Sequence, residues 1–295
     1  MGKVKKSIPV YDLCAVNPQG INHEISAGPF ADYLIIRNKL IIPHRHEGYY
    51  HVVLFTGGTG TVTIDFEQFD LFPGRIYFMV PGQVHCWDLS EEKDGFALNF
   101  SERVFSSFMA NSQYLDQFPF LSGIPNHSVI DLNEENLSEA KFFIGQIIKE
   151  ISKKDNFSLD KACFHLISLF ISISRHHDLS VRKLAPDQKQ TILMNFRRLV
   201  NKYYAEKKLP RDYAHMLFVT PNRLNTITNE LTGRSAGGII RDRILLEAKR
   251  LLVNVDMSIA EIAFKLNFTD NSYFTKFFKK YAGVTPEDFK TLYSL

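Results

Sequence analysis

The sequence predicts an α+β chain of two domains: a small antiparallel β-barrel followed by two helices, then an all-α domain. Three observations predict this. The chain has 295 residues, enough for two domains at roughly 100–200 residues each. Between about residues 100 and 134 the pattern changes from short β-branched and aromatic runs to apolar residues at helical spacing. The charge changes as well. From Asp187 onward there are 18 Lys+Arg against 11 Asp+Glu, and the rest of the chain has 17 against 21. The expected division is 1–176 for the first domain, 177–187 for a linker and 188–295 for the second.

Composition excludes several classes. Apolar residues make up 45% and charged residues 23%, which is ordinary globular material and argues against disorder. The three cysteines, Cys14, Cys86 and Cys163, are far apart, with no pairing or metal spacing among them, as in a reducing compartment. The start MGKVKKSIPV lacks an apolar stretch behind its lysines, and no run of 18 apolar residues follows. We therefore expect a cytoplasmic protein without a membrane partner.

The strand signals come first. ADYLIIRNKLIIP and YHVVLFTGG are β-branched and aromatic runs ended by Pro or Gly, TVTIDF alternates, and RIYFMVPG and FALNFS follow the same style. Short strands with regular turn signals indicate a sandwich or small barrel. Two helices follow. From Glu134 to Lys154 the residues Leu137, Ala140, Ile144, Ile147, Ile148 and Ile151 have helical spacing, with Asn133 as N-cap. From Ser158 to Arg175 the apolar side is Leu159, Ala162, Cys163, Leu166, Phe170 and Ile173. This pair can cover the barrel edge or meet a second copy.

The last third contains a repeat. LNTITNELTG (224–233) aligns with FTKFFKKYAG (274–283), the two glycines lying 50 residues apart. Each stretch follows another short helix, PRDYAHML or SIAEIAFKL, across the breaks FVTPN and NFTDN. Helix, tight break and helix, occurring twice, is a tandem helix-turn-helix. Asn267 suits a left-handed turn. Thr220 with Pro221 makes an N-cap, and Thr269 or Asp270 caps the later helix. A helix around Ile244–Asn254 joins the units.

The second helix of such a unit packs one face and offers the other to the major groove. Phe274, Phe277, Phe278 and Tyr281 take the buried spacing in the later unit, and Leu224, Ile227 and Leu231 in the earlier. Asn222, Arg223, Asn225, Thr226, Asn271, Ser272, Thr275 and Lys276 are then left outward, and these side chains read base edges. Lys279, Lys280 and Arg234 suit phosphates. A plain helical bundle with a polar face is the bland alternative. The duplication and the local positive charge favour double-stranded DNA as partner.

The segment Ile259–Phe289 resembles the C-terminal signature of the AraC/XylS family of transcription regulators. The matching residues are Ile262-Ala263, Phe268, Ser272-Tyr273-Phe274, Phe277-Phe278-Lys279, Gly283 and Thr285-Pro286. Asn267 departs from the usual Gly, and Phe289-Lys290 from the commoner Tyr-Arg. SAGGII (235–240) replaces a more apolar stretch, and each of Gly237 and Gly238 weakens a helix by about 1 kcal/mol relative to Ala. The resemblance implies two helix-turn-helix units joined by a long helix, a separate sensor or dimerisation domain, a homodimer, and RNA polymerase as a partner if the protein activates.

PHRHEGYYHVVLFTGGTGTVTIDF with LFPGRIYFMVPGQVHCW resembles the cupin-like sensor domain of that family. Metal-binding cupins converge two His, an acid and a later His; here His44, His46 and His85 match, and His51 stands near the place of the acid. We read His44, His46, His51, His85 and Trp87 as lining a small-molecule effector pocket, with no metal and no cofactor expected. Metal binding and a purely structural role remain open, and for Trp87 filling the barrel mouth is favoured over stacking on a ligand. No nucleophile–base pair, phosphate loop or paired-carboxylate motif is visible. The expected protein is a DNA-binding regulator and not an enzyme. The rival is a metal-dependent cupin enzyme with a helical appendage.

Overall fold

The structure is a computed structural model that describes residues 9–11, 24–35, 43–106, 114–153, 155–176, 188–254 and 257–293. The expected linker, 177–187, lies outside the described residues, as do Cys14 and Lys154. The described residues fall into two compact units, one from Pro9 to His176 and the other from Gln188 onward.

The first unit is built on one eight-stranded sheet. Its strands are β1 (Val10–Tyr11), β2 (Ile25–Pro29), β3 (His44–His46), β4 (Tyr49–Ile64), β5 (Glu67–Leu71), β6 (Arg75–Met79), β7 (Val84–Ser101) and β8 (Val129–Asp131). The main path runs β1-β3-β7-β4-β6-β8, with β2 on β7 and β5 on β4. Among the described residues this path does not close, so the expected barrel is an open sheet. The runs YHVVLFTGG and TVTIDF, read as separate strands, are one strand, β4. It pairs with β7 from Tyr49↔Ser101 to Ile64↔His85, with register shifts at Phe55/Gly57 and Gly58/Gly60. The glycines here are bulges within a strand. At Gly95 (φ 159°) and Gly60 (φ 149°) a Cβ would fall about 2 Å from the carbonyls of Leu54 and Asp88, so no other residue lets the ladder close up.

A second correction concerns ADYLIIRNKLIIP. Its described part belongs to a helix, α1 (Phe30–Ile35). Phe30, Tyr33 and Leu34 are buried on one side of it, a spacing that suits a helix and not a strand. Helices α2 (Glu134–Lys153) and α3 (Ser158–His176) follow, and Asn133 Oδ1 accepts from the Asn136 amide at 2.9 Å.

The sheet has two apolar faces. Val52, Leu54, Ile76, Phe78, Leu98 and Phe100 pack with Ala140, Ile144, Leu166 and Phe170 of the helix pair. Phe170 is central, with ring centroids 5.3 Å from Phe118, 5.6 Å from Phe100 and 5.6 Å from Phe120. The alternate residues Val53, Phe55, Tyr77, Met79 and Ala97 pack with Phe30, Tyr33 and Trp87. Strand alternation produces this division directly.

The second unit is helical: α4 (Gln188–Tyr203), α5 (Pro210–Met216), α6 (Pro221–Thr232), α7 (Ala236–Asn254), α8 (Ile259–Lys265), α9 (Asn271–Ala282) and α10 (Pro286–Tyr293). The pairs α5–α6 and α8–α9 are the two helix-turn-helix units. Both α6 and α9 end at left-handed glycines, Gly233 (φ 68°) and Gly283 (φ 83°). A capping box of Ser258 and Glu261 starts α8. The connecting helix is longer than expected and runs through Gly237 and Gly238. Its first turn is held by side chains: Asn225 Oδ1 accepts from Ala236 N at 3.2 Å, and Ser235 Oγ from Gly238 N at 3.1 Å.

The two inter-helix turns differ in one respect. Asn267 (φ 54°) takes the left-handed position in the later turn, and Phe218 (φ 55°) takes it in the earlier. Phe218 is 96% exposed, so little packing offsets the strain, and left-handed backbone costs ~1–2 kcal/mol per residue outside Gly, Asn and Asp. Phe218→Asn is expected to stabilise the helical unit by about 0.5–1 kcal/mol. Urea unfolding of the two proteins measures this, and a destabilised variant would show that the ring does packing work.

Candidate DNA interface and histidine cluster

The recognition helices α6 and α9 are presented alike. Thr220 Oγ1 accepts from Arg223 N at 3.1 Å, and Asp270 Oδ1 from Tyr273 N at 2.7 Å. Each cap satisfies a first-turn amide and fixes where the helix begins. Leu224 and Ile227 are buried under α6, and Phe274 and Phe278 under α9. Asn222, Arg223, Asn225, Thr226, Asn271, Ser272, Lys276, Lys279 and Lys280 are exposed, and Thr275 is half-buried.

Two residues expected in the core are not there. Leu231 and Tyr281 are 41% and 39% exposed, because each lies in the last turn of its helix. The Tyr281 ring instead receives the Arg241 guanidinium at 5.2 Å, a contact between α7 and α9. Two residues expected to face DNA already have partners. Asn225 caps α7, and Arg234 pairs with Asp242 at 2.7 Å. Tyr273, 55% exposed, lies next to Ser272 on the outer side of α9 and was missed because its aromatic ring reads as core.

Lys208 ties the two helix-turn-helix motifs of the C-terminal half together. Its ammonium donates to the Asn267 carbonyl and lies 3.7 Å from the Phe268 ring centroid. Burial lowers its pKa to about 8.

In the first unit the structure brings the four expected histidines together. His44 and His46 lie on one face of β3, two residues apart, as strand alternation requires. His44 stands opposite His85 across the β3–β7 ladder, and His51 opposite Asn99 across β4–β7. Ring centroids are 4.2 Å apart for His44–His85, 4.7 Å for His46–His85, 4.9 Å for His46–His51 and 5.5 Å for His51–His85. All four are buried. One nitrogen each from His44, His46 and His85 lies within 4.8 Å of the others. Trp87 fills the interior against Phe30, Phe55 and Tyr77.

Three neighbours escaped the sequence reading. Tyr33 stacks on His51 at 4.7 Å, and its hydroxyl lies 3.3 Å from His46 Nε2. Tyr49 stacks on His46 at 4.4 Å. Asn99 Oδ1 meets His51 Nδ1 at 2.6 Å, and Asn99 Nδ2 donates to Ser26 Oγ at 3.2 Å. The Ser26 contact turns the amide oxygen toward the imidazole, so His51 Nδ1 carries the proton and donates. The lone amide in FALNF was the available signal for Asn99.

Burial holds the His51 and His85 rings neutral. His51 is lowered to about 3, chiefly by desolvation and secondarily by His44, against the Asn99 hydrogen bond that raises it. His85 is lowered well below the usual value by burial, then by His44 and His51. In the unfolded chain His51 titrates near 6.5. Its contribution to stability is therefore full above that pH and is lost as pH falls toward 3, at about 1.4 kcal/mol per pH unit. For the ligand-free protein, the urea stability of wild type should fall about 2 kcal/mol more than that of His51→Gln between pH 7 and pH 5. Parallel pH profiles would rule this account out.

Comparison with known proteins gives the two halves in the same order. The profile of the AraC-like ligand binding domain matches residues 34–167, and that of a helix-turn-helix domain matches residues 213–291. The HTH-type transcriptional activator RhaR of Yersinia pestis bv. Antiqua (strain Angola) is 23% identical over 255 residues, 85% of each chain. RhaR of Mannheimia succiniciproducens is 21% identical over 254 residues, 84% of this chain and 86% of that one. A solved structure of ToxT from Vibrio cholerae matches at 11% identity and a TM-score of 0.45, covering 92% of this chain and all of that one. A sensor-type sheet domain followed by paired recognition helices, each matched by its own profile, identifies this chain as a DNA-binding transcription regulator of the AraC/XylS family.

Proposed function

We propose that the chain acts in the cytoplasm as a homodimer whose N-terminal domain, 1–176, binds a small-molecule effector on its histidine-lined face. A linker at 177–187 joins it to a DNA-binding domain, 188–295, that reads an operator with both α6 and α9. The observation that carries this reading is the pair of capped recognition helices with exposed amide, hydroxyl and cationic faces. Both are attached to one helix, α7. Where the protein activates, RNA polymerase is its further partner. The same unit gives no support to the rival of a cupin enzyme, because a duplicated groove-reading motif serves no purpose in turnover. The one cluster of three or more potential metal-ligating side chains among the described residues also contains no carboxylate to act as base.

The helix pair α2–α3 supports dimerisation. Phe142 and Phe164 are 57% and 62% exposed. The Phe143 and His165 rings, 6.4 Å apart, put the two phenylalanines at one level of the pair. Exposed aromatics together on a helix face mark an interaction surface. Sedimentation of the full chain should give a dimer, and Phe142→Asp with Phe164→Asp a monomer. Dimers that persist at micromolar concentration in the double variant would place the interface elsewhere.

DNA binding provides the central test. The two recognition helices of one chain are expected to enter successive major grooves ~34 Å apart, protecting two short blocks about one helical turn from each other. Arg223→Ala and Asn271→Ala should each cost ~1–3 kcal/mol and relax sequence preference, at different blocks. Lys279→Ala should weaken all sequences alike and reduce the salt slope by about one unit. If Arg223→Ala left affinity and preference untouched while Asn271→Ala abolished both, a single helix would do the reading.

A further inference from the structure

We propose that His44, His46 and His85 hold a divalent transition-metal ion and that this ion is the effector of the N-terminal domain. The inference deepens the effector reading above and rests on it. The first support is geometric. Among the described residues, these three form the one group of His, Cys, Asp or Glu side chains whose ligand atoms converge, within 4.8 Å of one another. A tetrahedral ion with bonds of ~2.0–2.1 Å sets its nitrogens ~3.4 Å apart. The rings therefore need to draw in by about 1 Å, a movement that side-chain rotation supplies. Their backbones are already fixed, with His44 registered directly opposite His85. Sites carried on paired strands hold ligand geometry better than sites on loops.

The second support is chemical. The donor set is imidazole alone, which selects zinc, nickel, cobalt, copper or iron and disfavours magnesium and calcium. His51 adjoins the three, and its ring is oriented by the Asn99–Ser26 relay. Its Nε2 makes no hydrogen bond among the described residues. Such outer hydrogen bonds commonly orient metal-site histidines.

The third support is space. Tyr33, Tyr49 and Trp87 are buried against the histidines, and Phe30 is buried against Tyr33 and Trp87. An ion fits between the imidazoles without displacing any of these rings.

The test is a titration of the chelator-treated full-length chain with Co²⁺. About one equivalent per chain should bind, with the visible ligand-field bands of a four-coordinate ion, and Zn²⁺ should abolish them by displacement. Paramagnetically shifted N–H resonances from three imidazoles should appear in the wild-type protein, a readout that needs no variant. A hundredfold excess of Zn²⁺ over its Kd should raise the midpoint of the unfolding transition by about 5–10 °C. His46→Gln with His85→Gln should remove the bands, and His165→Gln, on α3 outside the cluster, should retain them. Wild type without bands, or the double variant binding as tightly as wild type, overturns the inference and leaves an organic effector for the broader reading. With the site loaded, Zn²⁺ should change operator affinity about fivefold or more. Full binding with no change in DNA affinity or dimerisation overturns the ion's role as effector and, with it, the assignment of sensing to this cluster.

Discussion

The DNA-reading half depends on one helix. Ile240, Ile244, Ala248, Leu251 and Leu252 form a buried stripe along Ala236–Asn254, and that helix touches every other helix of its unit. Neither recognition helix has a large core of its own. Two short helices bury too little surface to hold a fixed angle, so each takes its orientation from the shared rod. Under the proposed two-groove reading, specificity would be a question of rigidity in a segment that carries none of the proposed base-reading side chains.

Several contacts reinforce that rod. Arg243 pairs with Glu247 at 2.9 Å and lies 4.0 Å from the Tyr204 ring centroid. Arg241 reaches across to Tyr281 of the later unit. Lys208 joins the entrance of the earlier unit to the turn of the later one through Asn267 and Phe268. The earlier unit needs this support more. It carries a strained phenylalanine in its turn and two glycines at the start of the helix that follows, costs of about 1 kcal/mol each. Asn225 offsets part of that cost by capping the connecting helix from the recognition helix itself. The same amide has less freedom to meet a base, so under the proposed function Arg223 and Thr226 would carry more of the reading in the earlier unit.

Much of this was legible in the sequence, because the signals are local. The 3.6 period, Thr220-Pro221, Asn267 and the two terminal glycines each encode a backbone state, and each helix-turn-helix boundary followed from them. His-x-His on a strand required both rings to share a face. What the sequence did not show was set by distant partners. The glycines of β4 read as terminators, and only the facing strand shows that they are bulges. Phe30, Tyr33 and Leu34 sit in a segment rich in β-formers, and they form a helix because the inner sheet face offers an apolar surface to one helical stripe. Leu231 and Tyr281 kept the correct period, yet the core ends one turn before they do.

The N-terminal sheet connects its two tasks through alternation. On β4, His51, Val53 and Phe55 belong to the inner face, and Val52 and Leu54 belong to the face covered by α2 and α3. On β7, Ala97 and Asn99 share the inner side, and Leu98 and Phe100 the outer. Any shift that draws the imidazoles together pulls on His51 and His85, and so on the two longest strands. Those strands present their alternate side chains to Ala140, Ile144, Leu166 and Phe170, whose helices carry the exposed Phe142 and Phe164. Close-packed interiors transmit strain because they have few voids to absorb it. An event of about 1 Å at the histidines thus reaches the helix face within one sheet thickness, with no hinge and no long chain of contacts required. The histidine cluster and the helices that carry the exposed phenylalanines lie on opposite sides of the same strands; under the proposed function, effector binding and subunit contact would influence each other reciprocally.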